Sequence, residues 1–236
     1  MNVIDLSSGY EEIRDFLKLK NQVNILYTQS FTNNVFPVLA ALWLICILQD
    51  TAERLCLYVW FGLILVFSVI RHILLFKYRN TLITRENIGL WLNIFLVNVC
   101  ISGSLWAAAG ILLIPYDPVK PVEFTLYNGL ILLTTCGLVA GAVISYSVNL
   151  VVLACYSYSA LTPPAFFLIS LGDKYNSAFG GLVLLYCFFI SIAAFRMNRQ
   201  FRYYLDMEYE KEKFRIRYDR LRRLYEDLKT CKHARN

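Results

Sequence analysis

Six apolar segments divide the chain between residues 35 and 197, and short polar or proline-containing links separate them. Five of the segments have at least about twenty residues, the length with which a helix crosses the hydrocarbon core of a bilayer. The first segment is shorter and is expected either to borrow residues 31–34 or to tilt less than its neighbours. The pattern predicts an all-α, polytopic membrane protein with six transmembrane helices. The predicted spans are residues 35–49, 55–76, 88–114, 124–148, 150–171 and 177–197.

The N-terminal flank, residues 1–34, has a helical periodicity of its own. Ile13, Phe16 and Leu17 recur at helical spacing between charged residues. This spacing predicts either a cytoplasmic amphipathic helix that lies on the inner membrane surface or a solvated lead-in to the first span. No cleavable signal peptide is recognised, because the stretch is mixed in charge and has no apolar core.

The C-terminal flank, residues 198–236, is rich in charge and has neither proline nor glycine, so it should continue the sixth span as a helix. Apolar residues and tyrosines alternate at spacings of four and three, as in a coiled coil. A cytoplasmic signalling helix that forms a parallel homodimer is predicted, and a solvated amphipathic helix is the alternative. The predicted dimer seam consists of Met207, Phe214, Tyr218, Leu221, Tyr225 and Leu228.

Small residues recur every three or four positions in the third and fourth spans. Such a face allows the backbones of two membrane helices to approach closely. We therefore expect the small faces of these two spans to pack against each other. The predicted packing residues are Gly103, Ala107 and Gly110 in the third span, and Gly137, Gly141 and Ser145 in the fourth.

Composition agrees with a membrane protein, since 58% of the residues are hydrophobic and only 17% are charged. The seven cysteines form no C-x-x-C pair, and His72 and His233 are far apart. The cysteines are therefore interpreted as small packing residues. The sequence has no constellation of catalytic residues and no motif for a metal or a cofactor, so no enzyme activity is expected of this chain.

Basic residues are distributed unevenly between alternate links. Of the 23 lysines and arginines, all but Arg54, Lys120 and Lys174 lie in the N-terminal arm, the second-to-third link or the C-terminal tail. By the positive-inside rule, both termini should be cytoplasmic, in an inner membrane. The basic tail should also attract anionic lipid. Nucleic acid is not an expected partner, because acidic residues are interleaved throughout the tail.

No Asp, Glu or Lys is found at mid-depth in any span, which argues against ion-coupled transport. Arg71 and His72 lie near the cytoplasmic end of the second span and are expected to snorkel to the surface. Neutral polar residues inside the spans either bond helices together or form a pocket for a small, apolar or lipid-like ligand. The candidate pocket residues are Asn98, Ser102, Trp106, Asn128, Tyr156 and Thr162.

The order of an amphipathic lead-in, six spans and a C-terminal helix, together with four short motifs, resembles a known family. The motifs are residues 102–110 (SGSLWAAAG), 112–115 (LLIP), 137–142 (GLVAGA) and 161–164 (LTPP). With them, the chain resembles the six-helix membrane input modules of GGDEF-type diguanylate cyclases and sensor histidine kinases. The resemblance implies cyclic di-GMP or two-component signalling, in which the last helix of a dimer drives an output domain. The printed residues contain no Gly-Gly-Asp-Glu-Phe sequence, so the output is expected from a longer chain or a partner protein.

Three functional hypotheses follow. The first is a membrane sensor that detects a small, apolar ligand or a membrane state and relays it through the C-terminal helix to an output domain or partner. The second is a small transporter or channel, and the third is a structural or scaffold subunit of a membrane complex.

Overall fold

A computed structural model describes residues 3–29, 32–116 and 121–233 of this chain. In these residues the chain forms seven helices and no strand, as the all-α prediction requires. The helices are α1 (Val3–Gln29), α2 (Thr32–Leu48), α3 (Arg54–Arg79), α4 (Ile88–Leu112), α5 (Pro121–Tyr146), α6 (Leu150–Ser170) and α7 (Lys174–His233). The predicted loop at residues 115–121 lies partly outside the described residues.

Six stretches of the described helices are long and apolar enough to cross a membrane, which confirms the predicted number of spans. Five of them match the predicted segments closely. The first differs, because it runs from Phe16 to Leu48 and so includes the second half of α1. The predicted boundary between a lead-in at residues 1–34 and the membrane region therefore falls inside this stretch.

The second half of α1 is packed into the helix bundle. Tyr27 is buried, its ring stacks on Tyr78 at 3.9 Å between centroids, and its edge contacts include Phe95 at 5.2 Å. The Tyr27 hydroxyl donates a hydrogen bond to the backbone carbonyl of Trp91 at 3.1 Å. An aromatic residue with a satisfied hydroxyl is suited to such a site, so this part of α1 belongs to the core of the bundle.

The small face of α4 is covered by α6. A Cβ atom added to Gly103 would overlap Ser159 Oγ and lie 2.8 Å from the carbonyl oxygen of Tyr156. One added to Gly110 would lie 3.0 Å from Pro164 Cβ. Only glycine allows the two backbones to approach this closely. Helices α4 and α6 are therefore closely packed against each other at Gly103 and Gly110.

The expectation that the small faces of α4 and α5 meet each other is wrong. Among the described residues, no atom outside the local backbone of α5 lies within 4 Å of a Cβ built at Gly137 or Gly141, and both glycines are exposed on the bundle. Ala107 is buried and Ser145 is half-buried. A run of small residues allows a close contact but does not select the partner, and here α6 takes that place against α4.

Pro163 and Pro164 lie inside α6, which remains helical across them. Helix α6 begins directly after a capped turn. The side chain of Asn149 accepts hydrogen bonds from the backbone N–H groups of Val151 at 3.0 Å and Val152 at 3.4 Å. These bonds satisfy two of the N–H groups that a helix start leaves without partners.

The chain divides into two units, Met1–Asn198 and Arg199–Asn236. In the second unit, Met207, Phe214, Tyr218 and Leu221 are all exposed. The side chains of Tyr225 and Leu228, which complete the predicted seam, lie outside the described residues, although their backbone is helical.

Candidate functional site

A cavity of about 400 Å³ lies between α2 and α5, with α3 and α6 at its inner side. Its volume falls within the usual range for small-molecule sites. Gly137 and Gly141 leave the space along α5 open, and both are exposed, so the cavity reaches the outer surface of the bundle. The other lining residues are Phe36, Pro37, Arg71, Leu138, Ala142, Ile144, Ser145, Tyr146 and Tyr156.

Arg71 is the only charged residue among the described residues that line this cavity, and it is buried rather than snorkelling. Its side chain is 7% exposed. The expectation from the sequence is wrong here, because Phe95 and Tyr146 cover the guanidinium group at 5.8 and 5.9 Å from their ring centroids. The neighbouring His72 is exposed, and its Nδ1 lies 2.5 Å from Asn34 Nδ2.

The guanidinium of Arg71 is only partly satisfied by protein groups. One Nη atom donates to the hydroxyl of Tyr146. The Nε atom is buried and has no hydrogen-bond partner among the described residues. Aromatic faces attract a cation, but they do not supply a negative charge. Arg71, which lines the cavity, is therefore a buried cation with one donor that has no partner among the described residues.

An aromatic cluster fixes the position of Arg71. The ring of Tyr146 makes edge contacts with Phe95 and with Tyr156, each at 5.8 Å between centroids. Tyr146 is the last residue of α5, Phe95 belongs to α4 and Tyr156 to α6, so three helices converge on the guanidinium.

Four of the six predicted pocket residues lie around Arg71. Tyr156 lines the main cavity. Ser102 and Trp106 line a small cavity of about 20 Å³ that Arg71 shares. Asn98 lines another of about 10 Å³ with Arg71, and its Oδ1 is buried with no partner among the described residues.

Asn128 and Thr162 do not belong to this group. Asn128 donates from Nδ2 to the carbonyl oxygen of Gly110 at 3.0 Å and so bonds α5 to α4. The hydroxyl of Thr162 donates to the carbonyl of Tyr158 in its own helix. Asn128 also lies 18 residues before Tyr146 on the same helix, which corresponds to about 27 Å.

The cavity wall continues into a turn that α7 contacts. Helix α5 ends at Tyr146, and residues 147 and 148 follow directly. Asn198 of α7 is buried, and its Nδ2 donates to the carbonyl oxygens of Ser147 at 2.6 Å and Val148 at 3.1 Å. These two bonds join the turn after α5 to α7. Sequence reasoning missed Arg71, Tyr146 and Asn198, because tertiary neighbours and not local motifs define their roles.

A second cavity, of about 620 Å³, lies between the starts of α5 and α7. It is larger than the first, but none of the described residues that line it is charged. The hydroxyl of Thr125, its polar group on α5, donates to Asn176 Oδ1 at 2.9 Å. We take the cavity at Arg71 as the candidate functional site, because a buried cation requires specific partners, whereas an apolar groove between helices does not.

Comparison of the chain with protein-family models, curated proteins and solved structures gives no match.

Proposed function

We propose that this chain is a membrane sensory module that binds a ligand in the cavity at Arg71 and relays its presence through α7. The observation that carries the proposal is the pair of hydrogen bonds from Asn198 to the turn after α5. These bonds join the wall of the cavity to the helix that contains the charged C-terminal segment. A ligand that moves the end of α5 would thus bias the position of α7, and a relay needs such a differential contact.

In this proposal both termini are cytoplasmic, in agreement with the placement of basic residues. The exposed apolar stripe at Met207, Phe214, Tyr218 and Leu221 forms the seam of a parallel homodimer. Isolated helices of this length are marginal in water, but a shared membrane anchor raises the local concentration of two copies. The dimer then presents its signal to a cytoplasmic output domain or partner protein.

The test compares two asparagines that are buried at opposite ends of the membrane part of α7. Asn198→Leu removes the bonds to the α5–α6 turn, whereas Asn176→Leu removes the bond to Thr125 at the far end of the helix. Each variant is combined with single cysteines along residues 207–221 in a cysteine-free background, and disulfide crosslinking between copies is measured in membranes. Asn198→Leu should change the pattern of crosslinked positions, and Asn176→Leu should leave it as in the parent. Identical patterns in all three proteins would remove the basis for a relay through Asn198.

A further inference from the structure

Arg71 lies toward the predicted cytoplasmic end of the second span, and its side chain is buried in the bundle. It is eight residues from Arg79, the last residue of α3, which places it about 12 Å along the helix from that end. A cation at such a depth is costly unless an opposite charge or several hydrogen bonds compensate it. Its 7% exposure shows that water at the bundle surface does not provide this compensation.

The described segments that pack around Arg71 supply no counter-charge. Residues 16–29 of α1, the segment Thr32–Leu48 and helices α3, α4 and α6 contain no acidic residue, and the one acid of α5 is Glu123. Glu123 is 23 residues before Tyr146, which corresponds to about 34 Å along the helix. The carboxy-terminal end of α5 carries a partial negative charge of about half a unit, which offsets only part of the charge of Arg71.

A buried water cannot complete the site either. The cavity of about 10 Å³ between Arg71 and Asn98 has room for a single water, which could join Asn98 Oδ1 to the guanidinium. Such a water is neutral, so it would accept hydrogen bonds from the guanidinium but would not neutralise the charge of Arg71. The main cavity, in contrast, has a volume of about 400 Å³, and Arg71 is one of its lining residues.

We propose that Arg71 binds the single anionic head, carboxylate or phosphate, of an amphiphile whose apolar chain lies in the cavity along Gly137 and Gly141. A guanidinium donates to such a group with two parallel N–H bonds, which are among the strongest hydrogen bonds in proteins. The exposed glycines open the cavity toward the bilayer, so the chain of the amphiphile enters from the membrane. This inference rests on the proposed function, because it names the ligand class of the same cavity.

Binding is measured with the full chain in nanodiscs of neutral phosphatidylcholine, at a pH where carboxylates are ionised. Dodecanoate is one probe, nanodiscs with phosphatidylglycerol are the second, and dodecanol is the uncharged control. Native mass spectrometry and the shift in unfolding temperature both report binding, since a ligand that binds only the folded state stabilises it. Dodecanoate or phosphatidylglycerol should bind and dodecanol should not. Binding of dodecanoate alone identifies a free acid, and binding of phosphatidylglycerol identifies a membrane lipid.

The matched variants are Arg71→Met and Arg79→Met, which make the same change on one helix at a buried and an exposed position. Arg71→Met should weaken binding of the anionic probe by about tenfold or more, whereas Arg79→Met should have little effect. Gly141→Leu fills the chain part of the cavity without changing its charge, so it should weaken binding of dodecanoate but not of acetate. This variant keeps the test valid if Arg71→Met fails to fold.

Three results would overturn the anion site: equal affinity of Arg71→Met and the parent, equal binding of dodecanol and dodecanoate, or no binding of either anionic probe. A different result would contradict the proposed relay. If the anion binds through Arg71 but crosslinking along α7 stays unchanged, the sensory function is wrong and the anion site remains.

Discussion

Gly103 lies where α4 and α6 come closest, and atoms of Tyr156, Ser159 and Ala160 fill the space beside its Cα. Its neighbours there are largely backbone, so they cannot move aside as the end of a flexible side chain would. Gly141 has the same residue type and the same kind of spacing, but open space lies beside it. The two glycines thus have opposite roles, one in packing and the other in keeping a cavity open.

The first prediction at this scale is that Gly103→Ala destabilises the protein by about 1–3 kcal/mol, the usual cost of overpacking. Gly141→Ala should leave stability unchanged or raise it by up to about 1 kcal/mol, because alanine is the better helix former. Thermal unfolding in detergent measures both variants. A loss of the same size for Gly141→Ala would mean that α5 is packed against another helix at this point.

At the residue scale, the sequence shows which side chain is at each position but not which residues surround it in the fold. The spacing of Gly103 and Gly110 correctly indicated a close helix contact. The same argument was wrong for Gly137 and Gly141, because a missing side chain is compatible with either a neighbour or a void. The burial of Arg71 depends on Phe95 and Tyr146, which are distant in sequence, so no local pattern could have indicated it.

At the scale of elements, Asn149 determines where α6 begins. Its side chain accepts from the backbone N–H groups of Val151 and Val152. The turn that it caps, at Ser147 and Val148, is also the turn that Asn198 holds. The start of α6 and the contact with α7 are therefore stabilised at one place.

We predict that Asn149→Ala lowers the free energy of unfolding by about 0.5–2 kcal/mol, the usual cost of losing an N-cap. The control is Asn80→Ala at the end of α3, where the backbone N–H and not the side chain makes the capping bonds. Chemical or thermal unfolding in a fixed detergent compares the two. Equal losses would show that the Asn149 bonds contribute nothing beyond the change in residue type.

The positions of the helices were predictable from the apolar segments, because a chain in hydrocarbon must satisfy its backbone hydrogen bonds within each helix. The apolar segments did not predict which helices pack against each other. Helix α6 contacts α4 through Gly103 and Gly110, and the second half of α1 enters the core through Tyr27, yet the hydropathy of each segment is the same with or without these contacts. The amphipathic pattern before residue 34 predicted a helix correctly but did not indicate that Tyr27 is buried.

At the scale of the whole molecule, the placement of the basic residues predicts the membrane topology. We predict that reporter fusions after Asn80, Ser147 and Asn198 report a cytoplasmic position, and that fusions at Lys120 and Asp173 report the outside. The reason is the excess of lysine and arginine in alternate links. An external position for the fusion after Asn198 would contradict the six-span topology with cytoplasmic termini.

Association of two copies is the second prediction at this scale. A single cysteine at Leu221, which is exposed and belongs to the heptad pattern, should form disulfides between copies in membranes. A cysteine at Arg223, on the opposite side of that pattern, should crosslink far less. Similar crosslinking at both positions would indicate a solvated helix without a defined seam.

The most direct test of the whole account is ligand-dependent crosslinking along α7. Full-length protein with single cysteines along residues 207–221 is placed in neutral nanodiscs, and the pattern of crosslinked positions is measured before and after dodecanoate is added. We predict that a dodecanoate concentration just sufficient to shift the pattern in the parent does not shift it in Arg71→Met, because this variant binds the anion about tenfold or more weakly. We also predict no shift in Asn198→Leu, which binds the anion but has lost the contact with the turn after α5. A shift of equal size in all three proteins, or a parent that binds dodecanoate and shows no shift, would contradict the proposed function.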